Sequence, residues 1–196
     1  MKSLLHTLPQ MHGGIAPVLA IFPFARSLLD HSGFGNDVTI ADPDVHWRRT
    51  NGVDGIYTKG TGRLLVANSA ELEAVTDFTL FWSASYSTLG QVGRRIFSKR
   101  DAGGTQADIF QEADNTLRLY DGVTVAISPA LNMATLRSVA LSQKSGEKAI
   151  VFTNGARFGL MSLAATITAD DAGISIGNIF GGSAPNADSL QGLIWY

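Results

Sequence analysis

Two β-strands joined by a tight turn are predicted between Leu136 and Gly155, in the segment LRSVALSQKSGEKAIVFTNG. Val139 and Leu141 alternate with serine and alanine, which is the period-two pattern of a strand that buries one face. Lys144–Gly146 supplies the turn, and the return strand ends at Asn154-Gly155, the dipeptide that best tolerates positive φ. A hairpin of this kind commits the chain to antiparallel β-structure.

The rest of the chain repeats the pattern of short β-forming runs separated by turn residues. Its 21 glycines are spread along the sequence and punctuate these runs, which is typical of an all-β sandwich or barrel. Only Ala70–Val75 has helical character, and it is long enough for a single turn. The predicted strands are Val18–Phe22, Val38–Ile40, Ile56–Thr58, Leu64–Val66, Phe78–Tyr86, Arg95–Lys99, Gln106–Gln111, Thr116–Tyr120, Val123–Ile127, Arg137–Ser142, Ala149–Thr153, Ile174–Ile176 and Gly192–Trp195.

The composition limits the functions that such a sandwich can have. Charged residues make up 16% of the 196 residues, against about 25% in an average soluble domain. This low share of charged residues has two explanations: part of the surface lies against a partner, or the sandwich simply has a large interior. A net charge of −2 gives no electrostatic footprint for nucleic acid or an acidic lipid surface, so we expect neither nucleic-acid binding nor membrane insertion. The absence of cysteine excludes disulfides and thiolate metal sites.

Residues 1–16 differ from the remainder and are predicted to form an irregular arm, with a single domain over residues 17–196. They show no periodicity and contain no unbroken apolar run of the length that a secretory signal needs, so we expect folding in the cytoplasm. Several apolar side chains could nevertheless be ordered by a neighbouring subunit. These are Leu4, Leu5, Leu8, Met11 and Ile15.

Six segments, in this order along the chain, resemble the laminin-G-like jelly roll of the concanavalin A-like superfamily. They are VLAIFPFARSLLDHSGFGNDVTI, GVDGIYTKGTGRLLVANSAEL, FTLFW, RIFSK, the hairpin described above, and the closing pair ISIGN and LQGLIWY. Val53 departs from the pattern, because an aromatic residue usually precedes the Asp-Gly pair. The resemblance covers about residues 16–196 and implies a two-sheet antiparallel jelly-roll sandwich that acts as a binding or structural module.

Alternation within the predicted strands identifies the side chains that should fill this sandwich. The predicted core comprises Trp82, Phe81 or Leu80, Val139, Leu141, Val151 and Trp195.

Laminarinase-type glycoside hydrolases share this superfamily and place three acids on one strand in the spacing E-x-D-x-x-E. Retaining hydrolysis needs two carboxylates about 5–5.5 Å apart. This chain offers Glu112 and Asp114, but Leu117 stands where the last acid should be. We therefore predict no catalytic residues and no enzymatic activity.

Asp30, Asn36 and Asp37 are the candidates for a calcium site, because hard cations prefer clusters of oxygen ligands. The same residue types suit tight turns, in which an Asx side chain caps its own backbone. The sequence favours the turn interpretation. We expect no cofactor or metal, and calcium at these residues is the alternative.

Trp47, Arg48 and Arg49 are the candidate ligand-binding residues. Tryptophan and arginine dominate binding hot spots, and a tryptophan beside two arginines could stack on a sugar or anchor a protein contact. The alternative is an amphipathic strand in which Trp47 packs inward and the arginines face water.

The sequence therefore predicts a non-enzymatic structural or binding subunit of a larger assembly. Phage virion proteins of the decoration, tail or fibre-associated kind fit best, with other virion proteins as partners, a homo-oligomeric state and a location in the virion. The alternative is a carbohydrate-binding lectin-like domain that recognises a receptor or surface glycan.

Overall fold

The computed structural model describes residues 26–40, 44–50, 53–58, 62–73, 76–86, 94–100, 105–135, 137–168, 171–177 and 192–195. Within these ranges the chain forms two antiparallel seven-stranded sheets and one helical turn, α1, at Ala70–Glu73. The predicted all-β jelly-roll sandwich is confirmed. No helix in these ranges is long and apolar enough to cross a bilayer. The predicted arm and the predicted strand at Val18–Phe22 lie outside the described residues.

The first sheet has the strand order β1-β4-β13-β6-β7-β8-β9, and the second has the order β12-β11-β10-β5-β14-β3-β2. The strands of the first sheet are β1 Val38–Ile40, β4 Leu64–Val66, β6 Arg94–Arg100, β7 Thr105–Gln111, β8 Thr116–Tyr120, β9 Val125–Ala130 and β13 Ile174–Ile176. Those of the second are β2 Val45–Thr50, β3 Val53–Thr58, β5 Phe78–Tyr86, β10 Arg137–Gln143, β11 Lys148–Thr153, β12 Ala156–Ala164 and β14 Gly192–Trp195.

The main core lies between the two sheets and follows the predicted alternation. Trp82 of β5 pairs across the sheet with Val139 of β10, and Leu80 pairs with Leu141. Trp82 and both β10 residues are buried, and Leu80 packs against them. Phe81 points the other way and is 38% exposed, so Leu80 is the core residue of the predicted pair. The side chain of Trp195 lies outside what the structure describes.

A second apolar cluster fills the sandwich where β1, β4 and β13 face β2 and β3. It contains Val38, Val45, Ile56, Leu64, Val66, Leu72 and Ile174. Phe97 and Ile176 pack against both clusters, so the interior is continuous along the sandwich.

One edge of the sandwich is sealed where β9 of the first sheet meets β12 of the second. The backbone N–H of Ile127 donates to the hydroxyl of Ser162 at 3.0 Å. Gly159 lies directly against the ring of Pro129. Unpaired edge strands tend to recruit other chains. Here the two edges cover one another.

Two strands were not among those predicted, and both lie at sheet edges. The sequence indicates β2 only as the amphipathic-strand alternative for Trp47, and it does not predict β12. Strand β12 lacks a clean alternation, because most of its residues are exposed and its pairing with β11 has two register shifts. An edge strand has one neighbour in its sheet, so its burial pattern is weaker than that of a central strand.

Candidate binding face

The three residues predicted to bind a ligand on β2 do not share one face. Trp47 pairs with the buried Ile56 and packs against the second cluster. Arg48 is exposed, and its guanidinium lies 5.0 Å from the centre of the Tyr57 ring. Arg49 is also exposed. This arrangement matches the amphipathic-strand alternative for Trp47, and ligand binding by the two arginines stays a prediction.

The loop that carries the calcium candidates is organised by the carboxylate of Asp30. Its oxygens accept hydrogen bonds from the backbone N–H and the hydroxyl of Ser32 at 2.9 and 2.6 Å, and from the N–H of Asn36 at 2.9 Å. The N–H of Asp30 in turn donates to Asp37 at 2.7 Å. The bond from the N–H of Ser32 has the two-residue spacing of an Asx-turn, and the other contacts tie the loop together across six and seven residues. Within the described residues, no three histidine, aspartate or glutamate side chains are grouped to hold a metal. Calcium binding at this loop stays a hypothesis.

The acids at the start of β8 interact with an arginine on the same strand. Arg118 lies 3.9 Å from a carboxylate oxygen of Glu112 and 3.6 Å from one of Asp114. Hydrogen bonds from the hydroxyl and the N–H of Thr116 are the main causes that lower the pKa of Asp114, whereas a glycosidase acid needs a raised pKa. Leu117 is fully buried in the core. An acid at that position would therefore face away from these carboxylates.

A row of polar residues runs across the outer face of the first sheet. Ser175 of β13, Ser98 of β6, Asp108 of β7 and Tyr120 of β8 are paired in register from strand to strand. Their sequence neighbours, among them Ile109, pack into the core. Because alternate residues of a strand point to opposite faces, this row points away from the core.

Three members of this row are fully buried although they lie on an outer face. Ser98, Asp108 and Ser175 each have 0% exposure. The carboxylate of Asp108 lies 3.5 Å from Nε of Arg95 and 3.7 Å from Nη1 of Arg100. A buried carboxylate is tolerated when cations and hydrogen-bond donors compensate its charge. The two arginines supply that compensation.

A second row, offset along the strands, adds an aromatic ring to the charged groups. Arg95 pairs with Phe110, which pairs with Arg118 of β8. The guanidinium of Arg95 lies 4.2 Å from the centre of the Phe110 ring, within the range of a cation–π contact. We call the two rows, together with Arg100 beside Asp108, the polar face. Its members are Arg95, Ser98, Arg100, Asp108, Phe110, Arg118, Tyr120 and Ser175.

Several buried polar atoms of the polar face have no hydrogen-bond partner in the described part of the chain. They are the hydroxyl of Ser98 and the Nε groups of Arg95 and Arg118. Native proteins leave few buried polar atoms unsatisfied, and each one calls for an explanation such as a ligand or an ordered water. These atoms are buried, whereas the side chain of Arg100 is 37% exposed and that of Arg118 is 29% exposed. The side chains of the polar face that a molecule from solution can reach are therefore the partly exposed Arg100, Arg118 and Tyr120.

Sequence reasoning missed this site. The strand segment ADIFQ carries one available signal, an acid inside an otherwise apolar run, and RRIFSKR carries another, four basic residues within seven. Neither segment shows which face a side chain occupies or which strand lies next to it.

Comparisons with known proteins give matches only at the level of structure. No protein-family model matches the sequence, and no curated protein matches it. A similar solved structure is domain 4 of AbnA, a GH43 extracellular arabinanase from Geobacillus stearothermophilus, in complex with arabinotriose. It is 15% identical with a TM-score of 0.64, and the match covers 89% of this chain and 86% of that domain.

Two further structures match a smaller share of their own chains. The binding domain of botulinum neurotoxin DC in complex with SialylT is 12% identical with a TM-score of 0.66, covering 91% of this chain and 46% of that one. The Trypanosoma rangeli sialidase in complex with sialic acid is 13% identical with a TM-score of 0.63, covering 89% of this chain and 29% of that one. At such low identity these likenesses establish the β-sandwich fold.

Proposed function

We propose that this domain is a non-enzymatic, carbohydrate-binding, lectin-like module that binds its ligand at the polar face. The observation that carries the proposal is the pair of partly exposed arginines on this sheet face, Arg100 at 37% and Arg118 at 29% exposure, beside the buried polar groups of the row.

The chemistry of the polar face suits a sugar. Sugar hydroxyls both donate and accept hydrogen bonds, and the face offers the guanidinium donors of Arg100 and Arg118 and the hydroxyl of the partly exposed Tyr120. Ligand sites commonly combine an aromatic lining with a few well-placed polar groups, and the partly exposed Tyr120 supplies aromatic surface beside the charges. The arabinanase domain, the neurotoxin domain and the sialidase, each with a sugar in its complex, support this choice of ligand class.

The virion-subunit interpretation has less support than the lectin-like alternative. It depends on residues 1–16, which lie outside the described residues, and the three proteins named above are not phage proteins. Assembly partners, a homo-oligomeric state and a location in the virion stay hypotheses.

A glycan array followed by calorimetry tests the proposal. The 196-residue chain is screened on an array that includes arabinan oligosaccharides and sialylated glycans, and the dissociation constant is measured for the best ligand. Arg100→Gln removes a charge at the partly exposed rim while Arg95 still pairs with Asp108. We expect this variant to melt within a few degrees of the parent and to bind at least tenfold more weakly.

Arg48→Gln is the matched control, because it changes the same residue type on the outer face of the opposite sheet. Under the proposal it binds like the parent. Loss of binding in Arg48→Gln, with Arg100→Gln unaffected, would move the site to the exposed arginines of β2. A folded chain that binds no glycan on the array would overturn the proposed function.

A further inference from the structure

We infer that two copies of this domain associate through an exposed apolar patch along the sealed edge of the sandwich. Nine large apolar side chains are strongly exposed in the described part of the chain, and five of them lie on β12, on β9 or in the turn before β9. They are Val123, Ile127, Phe158, Leu160 and Leu163, with exposures of 91, 36, 37, 45 and 51%. We call these five residues the edge patch.

Hydrogen bonds across the edge hold the members of the edge patch near one another. The N–H of Ile127 donates to the hydroxyl of Ser162, the residue before Leu163. The carboxylate of Asp121 accepts from the N–H of Val123 and from an N–H in the segment that follows β12. The edge patch therefore runs along β12 and continues onto β9 and the turn before it.

The edge patch carries no charge of its own. The two segments that contain it, 122–130 and 158–168, include no acidic or basic residue. In a dimer with two-fold symmetry the same surface of each copy meets the other, so like charges within that surface would repel. An apolar, uncharged surface avoids this repulsion and is complementary to a second copy of itself.

The size of the edge patch is sufficient for a weak dimer. The largest apolar patch on a typical monomer covers about 300–600 Å² and is often functional, and five side chains with these exposures make a patch on that order. A standard interface buries about 800 Å² per partner, and homodimer interfaces are about 65% apolar. The edge patch can therefore supply most of the apolar area that such an interface needs.

Two other kinds of partner fit this edge less well than a second copy. An extended peptide would add a strand to an open sheet edge, but β9 and β12 already cover one another and the N–H of Ile127 is engaged. An acidic lipid surface gains no electrostatic attraction from a chain with a net charge of −2. A second copy brings an equal apolar surface and needs no open strand.

A dimer at the edge patch would also bring two polar faces together. Ile127 pairs in register with Arg118, a partly exposed member of the polar face, so the patch borders that face. Two copies joined at this border present both polar faces beside one interface, and a ligand with several sugar units can then engage both. This consequence rests on the proposed function, whereas the dimer itself does not.

Sedimentation equilibrium of the 196-residue chain tests the inference. We expect a reversible monomer–dimer equilibrium between about 1 µM and 1 mM protein, the affinity range of a small interface. Because the contact is apolar, the dimer should be at least as stable in about 0.5 M NaCl as in about 0.05 M NaCl. A dimer that dissociates as salt is added would be held by charged groups and would overturn the inference.

Leu163→Glu is the variant that should weaken the dimer. Its side chain is exposed, so the folded monomer should tolerate a charge that the dimer would bury, and we expect the dissociation constant to rise at least tenfold. Leu160→Glu on the same strand should act in the same way. Ile40→Glu is the matched control, because it makes a similar change at a 44% exposed residue of β1, the opposite edge of the first sheet. It should associate like the parent, and thermal melts verify that all three variants are folded.

A spin label locates the contact directly, because the chain has no cysteine of its own. A nitroxide on Leu163→Cys should lose mobility as the protein concentration rises through the dissociation constant, and the same label on Ile40→Cys should stay mobile. A chain that remains monomeric at the highest concentration, or a dimer that both glutamate variants leave intact, would overturn the inference. Either result would leave carbohydrate binding at the polar face as it stands.

Discussion

The contact between Gly159 and Pro129 makes a quantitative prediction about the sealed edge of the sandwich. A Cβ atom at position 159 would lie 2.8 Å from Cγ and 3.2 Å from Cδ of the proline ring. Carbon atoms in favourable contact are about 3.5–4.0 Å apart. The proline ring is fixed to its own backbone, so relief of the clash must come from movement of β9 or β12.

The expected effect of Gly159→Ala is the balance of two opposing terms. Gly159 is not among the positive-φ glycines. Replacing glycine by alanine at an unstrained position usually stabilises by about 0.4–1 kcal/mol. Overpacking in a well-packed site destabilises by about 1–3 kcal/mol. We expect the clash to win and the free energy of unfolding to fall by about 1–2 kcal/mol, or roughly 2–4 °C in Tm per kcal/mol for a chain of this size.

A double-mutant cycle with Pro129→Ala isolates the contact, and urea unfolding at equilibrium measures it. Removing the ring should relieve most of the clash, so the two substitutions together should destabilise less than the sum of the single changes, by about 1 kcal/mol. Gly155→Ala is the control. Its Cβ would meet nothing within 4 Å, but its φ of +80° strains any L side chain, so its effect should be independent of Pro129. Equal stability of Gly159→Ala and the parent in both backgrounds would refute the reasoning.

Three further predictions concern the core, the pH dependence and the arm. Trp82→Ala should lower the free energy of unfolding by about 3–5 kcal/mol. Trp82→Phe should lower it clearly less, because the buried indole N–H has no hydrogen-bond partner to lose in the described part of the chain. Thermal melts of the two variants compare these losses. Partial burial alone would raise the pKa of Asp121, but backbone N–H groups, including those of Thr124 and Thr166, outweigh it and hold the pKa below 3.8. The ionised Asp121 therefore contributes its full share of the free energy of unfolding above about pH 4, and this share is lost as the pH falls through the lowered pKa. Asp121→Asn should flatten the acid limb of a curve of unfolding free energy against pH. An unchanged curve would contradict the stabilising role of the Asp121 carboxylate. Deletion of residues 2–14 should leave the melting of the jelly roll unchanged while abolishing incorporation into a particle, and normal incorporation would remove the main support for the virion hypothesis.

The strands that could be predicted from the sequence are those whose two faces differ most. In β10, Val139 and Leu141 are fully buried and their neighbours are partly exposed, so alternation located both the strand and its inner face. At the edges this contrast disappears. The run from Ala156 to Ala164 has Met161 as its one buried residue, and nothing in its composition marks a nine-residue strand. β12 is covered by β9, which lies far from it in the sequence, so a local sequence pattern does not reveal this contact.

The polar face could not be predicted from alternation, because a bulge in β6 decides which side chains belong to it. Strict alternation would put Arg95 on the same face as Phe97, which packs into the core. The register between β6 and β7 shifts between these two residues, so Arg95 pairs with Phe110 on the outer face. A bulge inserts one extra residue and re-aims the side chains beside it. Without it, Asp108 would lose Arg95 as an ion-pair partner, and the ring of Phe110 would lose its cation. The irregularity that defeats the sequence pattern is thus what assembles the candidate site.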